Sequence, residues 1–341
     1  MYPIKALHRG FSLVELMVGM ALGLVGILIV AQVFSDSSRF QATTAAAGEA
    51  QSIGNLSLYT IERELKQAGF GIATPALLGC QLTGYNNATP AVISKTLYPV
   101  EITEPVSAND SDAITIAYGT SSTRMGPILL ATAYDGTNTD LMVQNRYGLF
   151  VNDFFILSQI GGATPSCILG QITSLPTANA SQIGHAPTAS NFNKSGGQGV
   201  VFDAAIAELY SLGDRFDFNT YAVNASKQLI QRSNVSGNSL VIADNVLVFK
   251  ARYGHDSSGN GTVDTWDAVI PTTSTGWAGT TNVRMGLAVK SPQREADAVT
   301  ATPLVLWPGG PFVDLSTEDQ HYRYRTYNVV VPLRNMIWRT F

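Results

Sequence analysis

The side chains best suited to chemistry lie in a segment of twelve residues, 256–267, that is rich in oxygen donors. Calcium is a hard cation bound by oxygen ligands, and a twelve-residue loop with glycine at its sixth position wraps such ligands around one point. Gly261 holds that sixth position, and the apolar Val263 holds the eighth. The predicted ligands are Asp256, Ser258, Asn260, the carbonyl of Thr262, Asp264 and Asp267.

This loop departs from the usual helix–loop–helix form in two respects. Its twelfth residue is Asp267 rather than glutamate, which favours weak binding with a Kd on the order of 10⁻⁴–10⁻³ M. Residues 246–253, which precede it, have the composition of a strand. The alternative is a polar hairpin turn, for which Asp, Ser, Asn and Gly are the expected residues. The sequence leaves the calcium site and the metal-free turn open.

Patterns for catalysis are scarce. The four histidines are His8, His185, His255 and His321. They form no zinc-protease motif, and the sequence contains no nucleophile elbow and no phosphate-binding loop. We therefore predict a protein that is not an enzyme and has no certain cofactor, with calcium as the one candidate. An exported, membrane-anchored enzyme is the alternative of a different class.

One carboxylate stands alone in the most apolar part of the chain. Residues 11–34 carry a single formal charge, Glu15, and are long enough to cross a bilayer as a helix. A charge at membrane depth is costly unless it is paired, so Glu15 is predicted to be functional. Cleavage after Gly10 would remove the basic residues 1–10 and leave the helix on the mature chain. A secretory signal peptide has the opposite order, with its apolar run before the cleavage site.

The string Gly10-Phe11-Ser12-Leu13-Val14-Glu15 resembles the leader of type IV pilins and pseudopilins. In that family a membrane aspartyl peptidase, the prepilin peptidase, cuts after the glycine and methylates the new N-terminal amine. The resemblance therefore implies cleavage after Gly10 and N-methylation of Phe11. The family's glutamate falls on Glu15, where it is thought to pair with the N-terminal amine of a neighbouring subunit. A buried carboxylate needs such a cationic partner.

Further strings resemble the PilW family of minor type IV pilins. They are Arg63-Glu64-Leu65 with Ala68-Gly69-Phe70, Ala243-Asp244-Asn245-Val246, Val283-Arg284-Met285-Gly286-Leu287-Ala288-Val289, Tyr322-Arg323-Tyr324-Arg325 and Val331-Pro332-Leu333-Arg334-Asn335. The resemblance implies a single-pass inner-membrane protein with a periplasmic head that primes pilus assembly and then sits at the pilus tip. The implied partners are other minor pilins, the major pilin, the inner-membrane assembly platform and a large tip adhesin.

Two functions remain as alternatives to that role. A pseudopilin of the type II secretion filament tip resembles the same family. For the pilus role, the sequence leaves open whether the pilus supports twitching motility, adhesion or DNA uptake. A DNA-binding surface would use Arg323, Arg325, Arg334 and Arg339 beside Tyr322, Tyr324 and Tyr327. The simpler interpretation of that segment is a strand with one solvated and one packed face.

The elements that would position these residues fall into four segments. Residues 1–10 form the leader, 11–34 the transmembrane helix, 35–70 its periplasmic continuation and 71–341 a β-rich head. Leu58, Ile61, Leu65 and Ala68 lie on one face of the continuing helix, which is predicted to pack on the head. Gly69 is the predicted helix stop, Gly48 and Gly54 are expected to weaken or bend the helix, and Gly19 and Gly23 allow close helix approach.

After residue 71 the pattern becomes that of strands separated by polar turns. The predicted strands are 113–118, 154–159, 168–173, 240–242, 246–253, 283–289 and 324–331, with 204–209 as a strand or a short helix. Two long loops are predicted at 177–199 and 291–310. The fold class is therefore α+β, with a long N-terminal helix on an antiparallel β-rich head.

Composition and cysteine usage agree with export. Charged residues make up 13 % of the chain, and its net charge of −4 gives no global attraction to nucleic acid. Cys80 and Cys167 both follow the apolar segment, and an even count in an oxidising compartment favours one disulfide. Closing a loop of that length stabilises a domain by about 4–5 kcal/mol on the chain-entropy account. Two buried free thiols are the alternative.

Overall fold

A computed structural model describes residues 12–87, 93–123, 126–159 and 166–337. Its first element is helix α1, Leu13–Leu65, of 53 residues. Ser12 caps this helix, because its hydroxyl accepts a hydrogen bond from the Glu15 N–H at 3.2 Å. Within the described residues, α1 is long and apolar enough to cross a membrane, and its most apolar window has no buried residue.

The predicted long helix is confirmed, but it ends at Leu65 rather than at Gly69. The chain first leaves the helix through a tight turn, in which the Gln67 N–H donates to the Glu64 carbonyl at 2.9 Å. Gly69 then adopts a φ of 82°, a conformation that favours glycine, and its N–H donates to the Ala117 carbonyl at 2.9 Å. The glycine thus directs the chain into the head.

Strands are the main regular elements of the described part of the head. They are β1 Gln81–Gly84, β2 Ile93–Thr96, β3 Val100–Thr103, β4 Ala113–Gly119, β5 Ile128–Leu129, β6 Asp140–Met142, β7 Phe154–Gln159, β8 Ser166–Gln171, β9 Gln182–Gly184, β10 Ala207–Gly213, β11 Phe216–Val223, β12 Leu229–Ser233, β13 Ser239–Ala243, β14 Val246–His255, β15 Thr265–Asp267, β16 Thr280–Arg294, β17 Leu304–Val305, β18 Phe312–Val313 and β19 Tyr322–Pro332. The helical elements after α1 are α2 Ser274–Ala278, a 3₁₀ turn Asp319–His321 and α3 Arg334–Ile337.

The strands form three larger sheets and two small pairs. The sheet orders are β2-β1-β8-β7-β10-β5, β13-β12-β11-β4-β3 and β15-β14-β16-β19, with β17-β18 and β6-β9 as the pairs. Among the described strand pairs, β1 and β8 run parallel and the remainder antiparallel. The predicted α+β class with an antiparallel β-rich head is confirmed.

The four-stranded sheet carries the helix. Ile61 and Leu65 of α1 share one buried core with Val283 and Leu287 of β16, and this core continues to Ile116 of the five-stranded sheet. The opposite face of β14 and β16 is covered by a second cluster around Trp307. Because both faces are covered, β14 is buried along most of its length, which explains the continuous apolar run of its first four residues, 246–249.

The six-stranded sheet forms a second lobe with a core on each face. In β7, Phe154 and Ile156 pack into one cluster, whereas Phe155 and Leu157 pack into the other. Alternate side chains of a strand point to opposite faces, so a strand that is apolar at consecutive positions is covered on both sides.

The seven predicted strands are present; β7 has the predicted ends, and the ends of the others are shifted. Residues 204–209 were predicted as a strand or a short helix. The strand alternative is right, and β10 begins at Ala207. The prediction missed β11, the strand between β12 and β4, whose Phe216, Phe218 and Tyr221 are buried. The polar residues between these aromatics obscured the strand. The predicted loops were also too long, since β9 lies inside 177–199 and β16 extends to Arg294.

Candidate assembly interface

The first part of α1 presents apolar side chains that nothing in the described chain covers. The large apolar residues between Leu13 and Phe34 are 52–76 % exposed. Gly19 and Gly23 have no atom within 4 Å of the position that a Cβ would occupy. This surface can therefore contact lipid or other helices closely, and small residues at such positions favour helix association.

Glu15 lies in the first turn of this exposed helix. No ion pair to its carboxylate occurs among the described residues. A carboxylate near a helix N-terminus interacts favourably with the helix dipole, yet its charge remains available to an incoming cation. Gly10 and Phe11 lie outside the described residues, so cleavage after Gly10 and methylation of Phe11 stay predictions.

The second part of α1 is fixed to the head by close packing. The predicted face is confirmed, since Leu58, Ile61 and Leu65 are at most 7 % exposed. Gly54 lies against the ring of Tyr327, where a Cβ would come within 2.2 Å of a ring carbon. This contact shows that Gly54 permits close approach of the helix to the head, and its position four residues before Leu58 on the same face was the signal. That Gly54 weakens or bends the helix stays a prediction.

Polar groups complete the docking of the helix. The Tyr327 hydroxyl donates to the Ala50 carbonyl at 3.3 Å. Near the helix end, Glu64 is buried and accepts bonds from the side-chain amides of Asn219 and Gln231, each at 3.3 Å. Burial raises the pKa of Glu64 above its ordinary value. Glu64 thus links α1 to the five-stranded sheet, a role that the sequence analysis did not assign to it.

The predicted disulfide is present between Cys80 and Cys167, whose Cα atoms are 5.9 Å apart. Cys80 immediately precedes β1, and Cys167 lies in β8, which pairs with β1. The bond therefore ties the segment that follows α1 to the six-stranded sheet across a sequence separation of 87 residues.

The predicted calcium loop is a hairpin connection between β14 and β15. Asp256 accepts hydrogen bonds at 2.7–3.1 Å from the backbone amides of residues 259–261. Asp264 accepts bonds at 2.9 Å from the amides of Ser257 and Ser258. Bonds from the Ser257 hydroxyl and the Ser258 amide hold the pKa of Asp264 below its ordinary value.

The other predicted ligands are also engaged locally. The Asn260 side-chain oxygen accepts from the Thr262 N–H at 2.8 Å, and Asp267 lies 3.2 Å from the His255 ring. No cluster of three or more His, Cys, Asp or Glu side chains suited to a metal occurs within the described residues. This arrangement matches the hairpin-turn alternative, and calcium binding stays a prediction.

The basic and aromatic residues of β19 separate as predicted. Arg323 and Arg325 are exposed, whereas Tyr322 and Tyr324 are half-buried. The Lys290 ammonium sits 3.6 Å from the Tyr322 ring centre, and Tyr327 packs on α1. The tyrosines are thus used within the head, which favours the packed strand over a DNA-stacking surface. Arg334 is exposed at the start of α3, and Arg339 lies outside the described residues.

Comparison with known protein families gives one match near each end of the chain. Residues 5–31 match the prokaryotic N-terminal methylation motif, and residues 220–335 match the family described as type IV pilus-assembly protein W. These two matches confirm the resemblance to the PilW family. No curated protein and no solved structure matches the chain.

The PilW match covers the part of the head that holds the helix. It runs from within β11 to α3 and includes the sheet β15-β14-β16-β19, on which α1 is docked. The six-stranded lobe lies outside both matched regions. The two matches support a type IV pilus-related pilin with an N-terminal membrane anchor, and membership of such a family implies a structural protein rather than a catalyst.

Proposed function

We propose that this pilin is a minor subunit that primes type IV pilus assembly at the inner membrane and then occupies the pilus tip complex. The observation that carries this proposal is the uncovered first part of α1, whose apolar residues are more than half exposed while the helix remains continuous with a fully docked second part. Apolar surface of this extent needs a covering. Lipid would supply it before assembly, and neighbouring pilin helices afterwards.

Glu15 is the proposed electrostatic contact in that assembly. It stands in an apolar environment in both the membrane and a packed helical core, where an unpaired charge is costly. The N-methylated amine of Phe11 in a neighbouring subunit would supply the missing cation after cleavage by the prepilin peptidase. The same pairing would join this chain to other minor pilins and to the major pilin.

The size of the head supports a tip position. Residues 71–341 carry three larger sheets, and a subunit repeated along a helical lattice must pack such a head many times. At the tip, the head would face the assembly's outer end and could contact a large tip adhesin. Twitching motility, adhesion and DNA uptake are the activities that such a pilus would support.

The decisive experiment deletes the gene and counts surface pili, with complementation by wild type, Glu15→Ala and Glu49→Ala. Glu49 is the matched control, because it is an exposed glutamate farther along the same helix. We expect wild type and Glu49→Ala to restore pili, and Glu15→Ala to be processed normally but fail to enter them. Mass spectrometry of the mature N-terminus checks that processing occurs after Gly10.

Three outcomes would contradict parts of the proposal. Normal piliation in the deletion strain, together with a loss of protein secretion, would assign the chain to a type II secretion filament instead. Retention of Met1, or incorporation of Glu15→Ala at the wild-type level, would remove the cleavage or the pairing step.

A further inference from the structure

A pocket of about 300 Å³ lies on the face of the four-stranded sheet that α1 does not cover. Its walls come from three segments of the head, namely β14, residues 104–108 and residues 310–312. In β14, Phe249 belongs to the core that α1 shares, whereas Val248 belongs to the cluster around Trp307. Alternate side chains of a strand point to opposite faces, so Lys250 and Arg252 project on the side of Val248. The pocket is therefore separated from α1 by the sheet.

Two cations at the base of the pocket share one buried carboxylate. The Lys250 ammonium and the Arg252 guanidinium each lie 2.9 Å from a different oxygen of Asp112. The side chain of Asp112 is fully buried, and that of Lys250 is 3 % exposed. An ammonium group has three N–H donors, yet Asp112 is the one partner that the described residues give to the Lys250 ammonium. One carboxylate does not balance two cations, so the base of the pocket requires a second anion.

Glu104 supplies this second anion from the rim of the pocket. Its carboxylate lies 2.8 Å from the Arg252 guanidinium, and its side chain is 50 % exposed. An ion pair with so much solvent access is weak and can be exchanged for another. Glu104 thus shows that a carboxylate side chain reaches Arg252 from the solvent side. A carboxylate from another chain could replace it without changing the charge balance.

Apolar side chains surround the entrance of the pocket. Val106 is fully exposed and Phe312 is half exposed, and both line the pocket beside Pro105 and Pro311. Val305 is paired with Phe312 across β17 and β18, which places its exposed side chain on the same face. An exposed apolar patch with a polar site inside it is typical of a surface that another protein covers.

We propose that this pocket binds an acidic side chain of a partner protein, one that is flanked by large apolar residues. The partner's carboxylate would take the place of Glu104 on Arg252 and accept a further hydrogen bond from Lys250. The flanking apolar side chains would pack on Val106 and Phe312. The charges would supply specificity and the apolar contacts most of the affinity. The inference rests on the head alone, so it does not depend on the pilus role.

The test measures the fluorescence anisotropy of a labelled peptide as the full chain is added in detergent micelles. The probe is a peptide with blocked ends in which one glutamate stands between two leucines, and the comparison peptide carries glutamine instead. We expect the glutamate peptide to bind about tenfold more tightly, because glutamine cannot form hydrogen bonds as an anion. Phe312→Ala should weaken this binding about tenfold. Phe150→Ala is the matched control, since Phe150 is 55 % exposed outside the pocket.

Glu104 distinguishes a binding site from a structural ion pair. Glu104→Gln removes the internal competitor for Arg252 and should bind the glutamate peptide about fivefold more tightly than wild type. Glu49→Gln, at an exposed glutamate of α1, should bind like wild type. Lys250→Met should remove the preference for glutamate over glutamine. Thermal unfolding identifies any variant that fails to fold, and the exposed positions Glu104 and Phe312 decide the proposal if Lys250→Met is one of them.

Four results would overturn the proposal. They are equal affinity for the glutamate and glutamine peptides, unchanged binding in Phe312→Ala, unchanged or weaker binding in Glu104→Gln, and no binding at millimolar peptide. A peptide whose single carboxylate is its free C-terminus provides the remaining comparison. Tighter binding of that peptide would replace the acidic side chain with a chain terminus as the ligand and would also overturn the proposal.

Discussion

The two parts of α1 form one continuous helix in two different environments. Residues 13–42 are exposed at every position, whereas the buried positions begin at Ala46 and recur up to Leu65. In the first part apolar residues surround the helix, and in the second they form a single stripe. A helix that is apolar all round needs lipid or neighbouring helices, and a helix with one apolar stripe needs one packed face.

The comparison shows that the stretch packed on the head and the stretch exposed for outside contacts are separate parts of the same helix. The head stabilises the second part through the core shared by Ile61, Leu65 and Val283. The head does not bury any residue of the first part, so contacts that cover this part must come from lipid or other chains. Substitutions in the second part should therefore change folding, and those in the first part should change membrane or filament contacts. Hydrogen exchange of peptides from each part measures this division directly.

The largest effect should come from removing the disulfide, because the head must hold the second part of α1 without help from the membrane. Cys80→Ala/Cys167→Ala should lower the free energy of unfolding by about 2–5 kcal/mol. Exchange should increase in residues 46–65 and stay unchanged in 13–42 of the same sample. Thiol labelling of the unreduced, denatured wild type is the control. Two labels per chain would show that the bond is not formed.

Core truncation compares the two parts with the same chemical change. Leu65 is fully buried, so Leu65→Ala should destabilise the head by about 2–5 kcal/mol through lost burial and a residual cavity. Leu24 is 62 % exposed, so Leu24→Ala should leave the melting temperature of the head unchanged. Thermal unfolding in one detergent measures both. Equal shifts for the two variants would contradict the division between the parts.

Acid should loosen the head through His185. Its side chain is buried between Tyr134 and Phe155, and neither ring nitrogen has a hydrogen-bond partner among the described residues. Burial lowers the pKa of His185 from 6.5 to about 4. The unfolded chain binds the proton more readily, so stability is retained above about pH 6.5 and falls as the pH drops toward 4. The expected loss is up to about 3 kcal/mol.

Urea unfolding at a series of pH values measures this loss. His185→Phe keeps an aromatic ring without a titrating group, and its stability should depend less on pH between about 4 and 6.5. His321→Asn removes a half-buried histidine outside this core and is the matched control. An unchanged slope in His185→Phe would show that other groups cause the acid sensitivity.

Two glycines in the second part of α1 should respond to alanine with opposite signs. Gly54→Ala places a methyl group against the Tyr327 ring and should destabilise the head by about 1–3 kcal/mol. Gly48 has no atom within 4 Å of such a methyl group, so Gly48→Ala should stabilise the helix by about 0.5–1 kcal/mol. Adding Tyr327→Leu to Gly54→Ala should recover part of the loss. A stabilising Gly54→Ala would contradict the close contact.

Periodicity predicted the parts of the fold in which local pattern and burial coincide. The helical stripe of Leu58, Ile61 and Leu65 and the apolar run at the start of β14 were both visible, because most of their covered positions are apolar. The Glu62–Lys66 ion pair, at 2.6 Å, is a local consequence of helical spacing. The disulfide was predicted from the cysteine count and the expected compartment alone.

Features that depend on distant partners were not predictable. From the sequence alone, Gly54 is expected to weaken the helix. In the structure, the ring of Tyr327, 273 positions later in the chain, fills the space where a Cβ of residue 54 would lie. The burial of Glu64 depends on amide donors from β11 and β12, and β11 itself was missed. The order of strands within each sheet likewise depends on pairings between segments that lie far apart in sequence.

The last expected effect is a calcium-dependent rise in stability from the loop 256–267. The turn forms through bonds from backbone amides to Asp256 and Asp264, so calcium must displace donors that already satisfy these carboxylates. At a tenfold excess of calcium over a weak Kd, mass action adds about 1.4 kcal/mol. Asp256→Ala/Asp264→Ala should abolish the rise, and Asp110→Ala, at an exposed aspartate outside the loop, should not. Melting curves measured with millimolar calcium and with chelator distinguish the calcium site from the metal-free turn. Identical curves would favour the metal-free turn.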